Sequence, residues 1–290
     1  MAENSIDSPE IDDLWDYADP AASEARFRSH LMRTAPDSGV YLELLTQIAR
    51  AQGLQRNFAG ANETLTKVKP VLPPGVSRAC IRYLLECGRV CNSSGQKSEA
   101  SARFLEAWRL ARDAGEDFFA IDAAHMLAIS EPLAAQAAWN LRAIDAAEQS
   151  AQPRARNWLG SLYNNLGWTC HDQGDYAQAL DLFQRALRFR QTQDKPAEIL
   201  VARWCVARCL RSLGRPAEAL AEQQSLAADY AIAGTQDGYV EEELGEGLQA
   251  LGQPAEARPH FMQAYALLAQ DPWLVESEPA RLERLKQLGQ

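Results

Sequence analysis

The chain has 290 residues, of which 47% are hydrophobic and 23% charged, with a formal net charge of −10. That composition belongs to a folded, water-facing protein long enough for two ordinary domains or one repeat array. The acid excess argues against a nucleic-acid backbone or an anionic membrane surface as main partner, because both require a positive field. No stretch reaches the roughly 18 to 20 apolar residues of a membrane-spanning helix.

In chain order, the first element is acidic. Residues 1–25 hold eight acids and no lysine or arginine, so the rest of the chain carries only −2 of the total. Residues 1–19 read as a flexible tail, with 1–13 disordered. The start MAENSIDSPEIDD has neither the basic nor the apolar region of a secretory leader, so a cytoplasmic location is expected. The six cysteines then read as reduced thiols. Cys87/Cys91 and Cys205/Cys209 are one helical turn apart, and no C-x-x-C pair of the zinc or redox kind occurs.

Pro20 to Thr34 has helical spacing with Phe27 and Leu31 on one face, and residues 20–41 are expected to form an N-terminal cap on the first helical pair. From 42 to 276 a helix–turn–helix pattern recurs six times, with starts near 42, 81, 118, 160, 200 and 238. Gly95, Gly174, Gly214 and Gly252 fall just after the first helix of a pair, where a left-handed residue ends it. Pro73 turns the chain once toward the next pair, and Gly115–Asp117 and Gln191–Lys195 read as inter-repeat loops. The third pair lacks the turn glycine, and Glu131-Pro132 takes its place. Residues 277–290 contain Ser277 to Leu288, which opens with Ser, Glu and Pro and continues with helical apolar spacing; it suits a terminal capping helix.

The clearest copy is Leu162 to Phe189, LYNNLGWTCHDQGDYAQALDLFQRALRF. It resembles the tetratricopeptide repeat. With Leu166 as position 7 of that frame, Tyr163 is 4, Gly167 is 8, Cys170 is 11, Gly174 is 15, Ala179 is 20, Phe183 is 24 and Ala186 is 27. Gln191 stands where the family has its final proline. Sliding the frame places alanine at position 20 in every copy: Ala61, Ala100, Ala137, Ala179, Ala219 and Ala257. Position 8 reads Ala49, Gly88, His125, Gly167, Ala207, Gly245, position 24 reads Leu65, Phe104, Leu141, Phe183, Gln223, Phe261, and position 27 reads Val68, Ala107, Ile144, Ala186, Leu226, Ala264. Small residues at 8 and 20 let two helix backbones cross closely, and larger ones fill the space around the crossing. The fold class implied is all-α, a right-handed superhelical solenoid of six helical hairpins with N- and C-terminal capping helices.

The resemblance also implies an inner, concave face built from first-helix positions 2, 5, 9 and 12, with 6 and 13 at its edges. Carried onto this sequence, the first two repeats contribute Arg50, Arg82 and Arg89. The third contributes Phe119, Asp122 and Met126. The fourth contributes Asn164, Asn165, Trp168, His171 and Asp172. The fifth contributes Trp204, Arg208 and Arg211, and the sixth Tyr239, Glu242, Glu243 and Glu246. Asparagines suit the amides of an extended ligand, tryptophan gives stiff contact area, and arginine can hold a carboxylate with two bonds. The competing assignment is inter-repeat packing for the tryptophans and a solvated face for the arginines. The carboxylate clamp of chaperone-tail-binding members is absent: the second-to-fourth window reads Leu85, Arg89, Ala123, Ser161 and Asn165.

Catalytic signatures are missing. The sequence holds no phosphate-binding, dinucleotide-binding or nucleophile-elbow motif. His171-Asp172 is a turn pair, and Glu241, Glu242, Glu243 and Glu246 read as an acidic lip, because consecutive helix residues point apart. The expectation is a non-catalytic adaptor or scaffold without cofactor or metal. It would hold another protein or an extended peptide across repeats three to six, with no nucleic-acid or membrane partner. The alternatives are a peptide or small-molecule sensor that changes shape on binding, and a structural subunit docking by its convex face. One further expectation concerns the tail: Ile6, Ile11, Leu14, Trp15 and Tyr17 among its acids could occupy an arginine-bearing groove, or Trp15 and Tyr17 could pack on the first helix.

Overall fold

A computed structural model describes residues 8–36 and 38–290, and all regular structure among them is helical. The chain divides into two compact units, Met1–Leu159 and Gly160–Gln290. The first unit holds α1 (Ser8–Asp13) and α2 (Pro20–Leu31), then three hairpins. These are α3 (Gly39–Leu54) with α4 (Phe58–Val68), α5 (Arg78–Ser93) with α6 (Lys97–Asp113), and α7 (Asp117–Ser130) with α8 (Leu133–Gln149), followed by the short α9 (Pro153–Arg156). The second unit holds α10 (Leu159–Asp172) with α11 (Tyr176–Thr192), α12 (Pro196–Ser212) with α13 (Pro216–Ile232), and α14 (Gly238–Ala250) with α15 (Pro254–Leu268). It ends on α16 (Pro272–Ser277) and α17 (Pro279–Leu288). The expected loops at 115–117 and 191–195 are short turns. Helices of 17 residues, such as α6, α11, α12 and α13, account for the long repeat period.

The fourth hairpin shows why these sequences fold this way. Asp175 caps α11 by accepting from the Gln178 amide. Ala179, Leu182, Phe183 and Ala186 then recur at three- and four-residue spacing and form its buried stripe. Gly174 sits at φ 82°, a conformation that admits glycine freely, and so permits the tight turn out of α10. Gly167 on α10 faces the ring of Phe183, so close that a Cβ there would lie 2.6 Å from it. The same pairing recurs in Gly88 with Phe104 and Gly245 with Phe261. Where position 24 holds no phenylalanine, position 8 carries a side chain, as in Ala49 with Leu65 and Ala207 with Gln223.

The third hairpin corrects the sequence frame. Between first and second helix the other hairpins have three residues, whereas α7 and α8 are joined by Glu131 and Pro132 alone. Every α8 residue is therefore displaced by one position. Leu141, expected in the core, is 54% exposed, and Asn140 takes its place at 2%. Ala143 likewise stands at position 27, where Ile144 was expected, and half-buried Gln136 at position 20, where Ala137 was expected.

Both ends close on the repeats. Leu282 and Leu285 of α17 join Phe261, Ala264 and Leu268 in one buried cluster; each such leucine contributes about 1.5–3 kcal/mol. At the other end the expectation of disorder through residue 13 fails within the described residues. Ile11 is fully buried with Phe27, Leu44 and Ile48, and Leu14 and Trp15 pack beside it. The apolar residues interleaved among the acids supply a face that α3 covers. Ile6 lies outside the described residues.

Candidate functional site

In the first unit, the inner-face positions of α3, α5 and α7 form a cluster of buried charge. Arg82, 3% exposed, donates to Glu43 at 2.9 Å and to both oxygens of Asp12 at 3.0 and 3.1 Å. Arg89 donates to Glu86 at 2.6 Å and to both oxygens of Asp122 at 2.6 Å. Arg154, brought in by α9, pairs with Asp12 and lies 3.6 Å over the ring of Phe118. Burial pushes the Glu86 carboxyl above its ordinary range. Burial pushes Asp122 the same way, but the charges of Arg89 and Arg50 and the Arg89 hydrogen bond together outweigh it and hold Asp122 low. Asp122, expected to meet a ligand, is thus committed to Arg89. Met126 lines an open cleft of about 220 Å³ together with Arg50, Glu86 and Arg89. Asp12, Trp15 and Tyr17 lie on this face as well. Trp15 donates from its indole nitrogen to Gln47 at 3.0 Å and stacks on Tyr17 at 4.8 Å, with the Arg50 guanidinium over both rings.

In the second unit the inner-face positions divide into aromatic and ionic halves. Trp168, Trp204 and Tyr239 make a file, with ring centroids 6.0 and 6.1 Å apart. Trp168 also meets Phe183 at 5.0 Å and His171 at 5.1 Å, so part of its surface serves packing between hairpins. The Trp204 indole N–H donates to the Tyr239 carbonyl at 3.2 Å. His171 shares a hydrogen bond with Ser212 at 2.9 Å, and burial followed by the nearby charge of Arg208 holds its imidazole below the ordinary value.

The arginines are already paired. Arg211 donates to both oxygens of Glu243 at 2.8 Å, and Arg208 lies 3.1 Å from the same carboxylate. Glu242 accepts from Arg281, and Glu246 pairs with Arg211 and Arg284. The expected acidic lip is instead a network that ties α12 to α14 and α14 to α17, with Glu242 and Glu243 buried. Sequence spacing missed it because the partners stand about one repeat apart in the chain.

Two clefts open among α10 to α14. One, of about 180 Å³, is lined by Asn164, Asn165, Arg190, Glu198 and Val201. The other, about 330 Å³ and mostly apolar, is lined by Val201, Trp204, Tyr230, Asp237 and Tyr239. Val201 is common to both and 55% exposed. Val201 stands at position 2 of the fifth repeat, an inner-face position of the frame, but is not among the residues named from it, and Tyr230 comes from a second helix.

The cysteine thiols are not activated: burial pushes Cys205 up to about 12 and Cys87 and Cys209 up to about 11. Among the described residues no group of three or more His, Cys, Asp or Glu could hold a metal ion, and no helix is long and apolar enough to cross a membrane.

The tetratricopeptide repeat family model matches residues 138–192, the span of α8 through α11. Residues 138–192 are thus a tetratricopeptide-repeat segment, and the hairpins on either side of it share the helical-repeat fold. No curated protein sequence matches it. Among solved structures, the apo form of RapI superposes with a TM-score of 0.71 at 10% identity, over 91% of this chain and 75% of that one. The apo form of the quorum sensor NprR from B. thuringiensis gives 0.64 at 13%, over 92% and 74%. BtubC (BKLC) from P. vanneervenii gives 0.59 at 17%, over 78% and 93%. At such identities the similarity establishes the helical-repeat fold, and the subfamily stays unassigned.

Proposed function

We propose that the chain is a non-catalytic protein-binding adaptor, and that the inner face of its second unit takes an extended segment of a partner. The observation that carries this reading is the pair of clefts joined at Val201. One is a polar cleft lined by Asn164, Asn165, Arg190 and Glu198, and the other presents Trp204, Tyr230 and Tyr239 to an apolar side chain. A polar cleft beside a stiff aromatic wall matches what extended chains offer: backbone hydrogen bonds with side chains at alternate positions. Arg208 and Arg211 hold α14 in place rather than meeting the ligand, because both are committed to Glu243.

Val201→Arg is the variant of choice. The side chain is exposed, so the fold should tolerate the change, while the added bulk and charge block both clefts. Affinity capture from lysate, read by quantitative mass spectrometry, should show partners bound by wild type and lost from the variant. An identical partner set for both proteins removes the second unit's inner face as the binding site. A second reading, a sensor that changes shape on binding, draws support from the likeness to NprR, named a quorum sensor. It predicts a change in small-angle scattering when ligand is added, which an adaptor with a rigid groove would not show.

A further inference from the structure

The inner face of the first unit carries its own occupant. Segment Ile11–Tyr17 crosses it with four anchors: Ile11 in the pocket of Phe27, Leu44 and Ile48, Asp12 on Arg82 and Arg154, Trp15 on Gln47, and Tyr17 stacked on Trp15 beneath Arg50. These are the elements of peptide recognition: an apolar anchor, a carboxylate held by two arginines, and aromatic rings on a guanidinium.

Charge shows why the occupant must be anionic. The repeats and α9 place four arginines here (Arg50, Arg82, Arg89 and Arg154) against three acids of the repeats, Glu43, Glu86 and Asp122. Asp12 supplies the fourth negative charge. Among the described residues Arg154 has no other carboxylate within ion-pair distance, so a segment lacking the acid would leave it half-buried against Phe118 without a counter-charge.

The occupant fills only part of the face. Tyr17 is 60% exposed. A cleft of about 200 Å³ remains beside Asp12 and Tyr17, and the cleft of about 220 Å³ that reaches Met126 shares Arg50 and Glu86 with it. A longer ligand would therefore bury more than the resident does. The segment is also held to α2, where Arg26 donates to the Leu14 carbonyl at 2.8 Å, Ser23 bonds the Asp16 backbone at 2.8 and 2.9 Å and Phe27 meets Trp15 at 5.0 Å, so a displacing ligand must outweigh these contacts as well as those on the inner face.

We propose that the inner face of the first unit is a receptor for an anionic, aromatic segment of a partner protein, of the pattern apolar–acid–x–x–Trp–x–aromatic, and that Ile11–Tyr17 is the resident copy which that partner displaces. This rests on the reading of the chain as a protein-binding module, but on a different face from the Val201 clefts. Capture through the second unit tests that reading separately.

The experiment uses the full chain carrying Asp12→Ala and Trp15→Ala, which weakens the resident, and a fluorescein-labelled peptide with the sequence of residues 8–19. A tethered copy competes at millimolar effective concentration. The variant should therefore bind the free peptide at least tenfold more tightly than wild type does, by fluorescence anisotropy. A peptide with lysine in place of Asp12 should lose at least tenfold. Equal binding by wild type and variant, or no binding by a variant whose circular dichroism matches wild type, overturns the proposal. So does concentration-dependent dimerisation of wild type without binding of the free peptide, which would make the segment an exchange arm between copies. Hydrogen exchange on wild type decides the matter if the variant misfolds. Amides of Trp15–Tyr17 must exchange at least tenfold faster than those of Leu44–Ile48, and equal protection would make the segment a permanent part of the fold.

Discussion

Gly167→Ala tests the packing rule on which the repeats rest. A Cβ at this position would lie 2.6, 2.8 and 3.1 Å from three ring atoms of Phe183, where carbon atoms in contact ordinarily sit about 3.5–4.0 Å apart. The ring cannot swing aside, since it is fully buried and Trp168 packs against it with centroids 5.0 Å apart. Overpacking of this kind costs about 1–3 kcal/mol, and a rigid ring puts it near the upper end. Alanine in a helix interior recovers about 1 kcal/mol relative to glycine. The net expectation is a loss of about 2 kcal/mol, read as a lower urea midpoint by circular dichroism. Adding Phe183→Leu should recover part of it, because the first hairpin already uses Ala49 with Leu65 at these positions. The double-mutant cycle should give a favourable coupling of about 1–2 kcal/mol. If Gly167→Ala is neutral or stabilising, helix propensity alone governs the site and the close-crossing argument is wrong.

Three other perturbations probe the same structure. Arg56 holds φ 62° in the turn between α3 and α4, where four other hairpins place glycine; Arg56→Gly should raise stability by about 1 kcal/mol, and an unchanged urea midpoint would count against backbone strain there. Gln223 is fully buried at the position that Phe104 and Phe183 fill, and among the described residues neither its amide oxygen nor its nitrogen has a hydrogen-bond partner. Gln223→Leu should stabilise the second unit by about 1–3 kcal/mol, whereas a destabilised variant would mean that the amide is satisfied by bound water. Burial holds the His125 imidazole below its ordinary value. As pH falls below about 6.5 the unfolded chain takes up a proton that the folded one refuses, so stability is complete above that pH and declines through the window beneath it. His125→Gln should flatten the decline measured by urea titration between neutral and mildly acidic pH, and an unaltered slope would assign it to other groups.

The hairpins were legible because their determinants are local. Small residues at positions 8 and 20, and a left-handed residue after the first helix, lie within one repeat and recur along the chain. The third hairpin misled the frame because Ala137 and Ile144 satisfy the pattern by type. Only the length of the turn, two residues rather than three, shows that Gln136, Asn140 and Ala143 hold those positions. The site was less legible. Arg211 and Glu243 are 32 residues apart, and Arg82 and Asp12 are 70 apart. Nothing in local spacing distinguishes an arginine that awaits a ligand from one already answered by the next repeat. The acidic start has a solubilising composition, and its buried Ile11 is a single residue against many acids.

The two units differ in where their arginines find counter-charge, and that difference bears on function. In the second unit, Glu243 answers Arg208 and Arg211 from α14, a helix wedged between its neighbours. Removing that carboxylate means undoing the hairpin, so the network fixes the geometry of the second unit's inner face. In the first unit, Asp12 answers Arg82 and Arg154 from outside the repeats, on a segment joined by an exposed turn. Its departure costs the pairing, the burial of Ile11 and Trp15 and the hydrogen bonds to Ser23 and Arg26 of α2, but breaks no contact within a hairpin. A buried ion pair stabilises little in net terms while the loss of one partner costs several kcal/mol. Such a pair therefore does little to favour the docked state over one in which another carboxylate occupies the same place, and it strongly disfavours an empty face. An arrangement of that kind selects ligands by charge and lets partners of similar chemistry exchange, which a carboxylate built into a repeat helix cannot do.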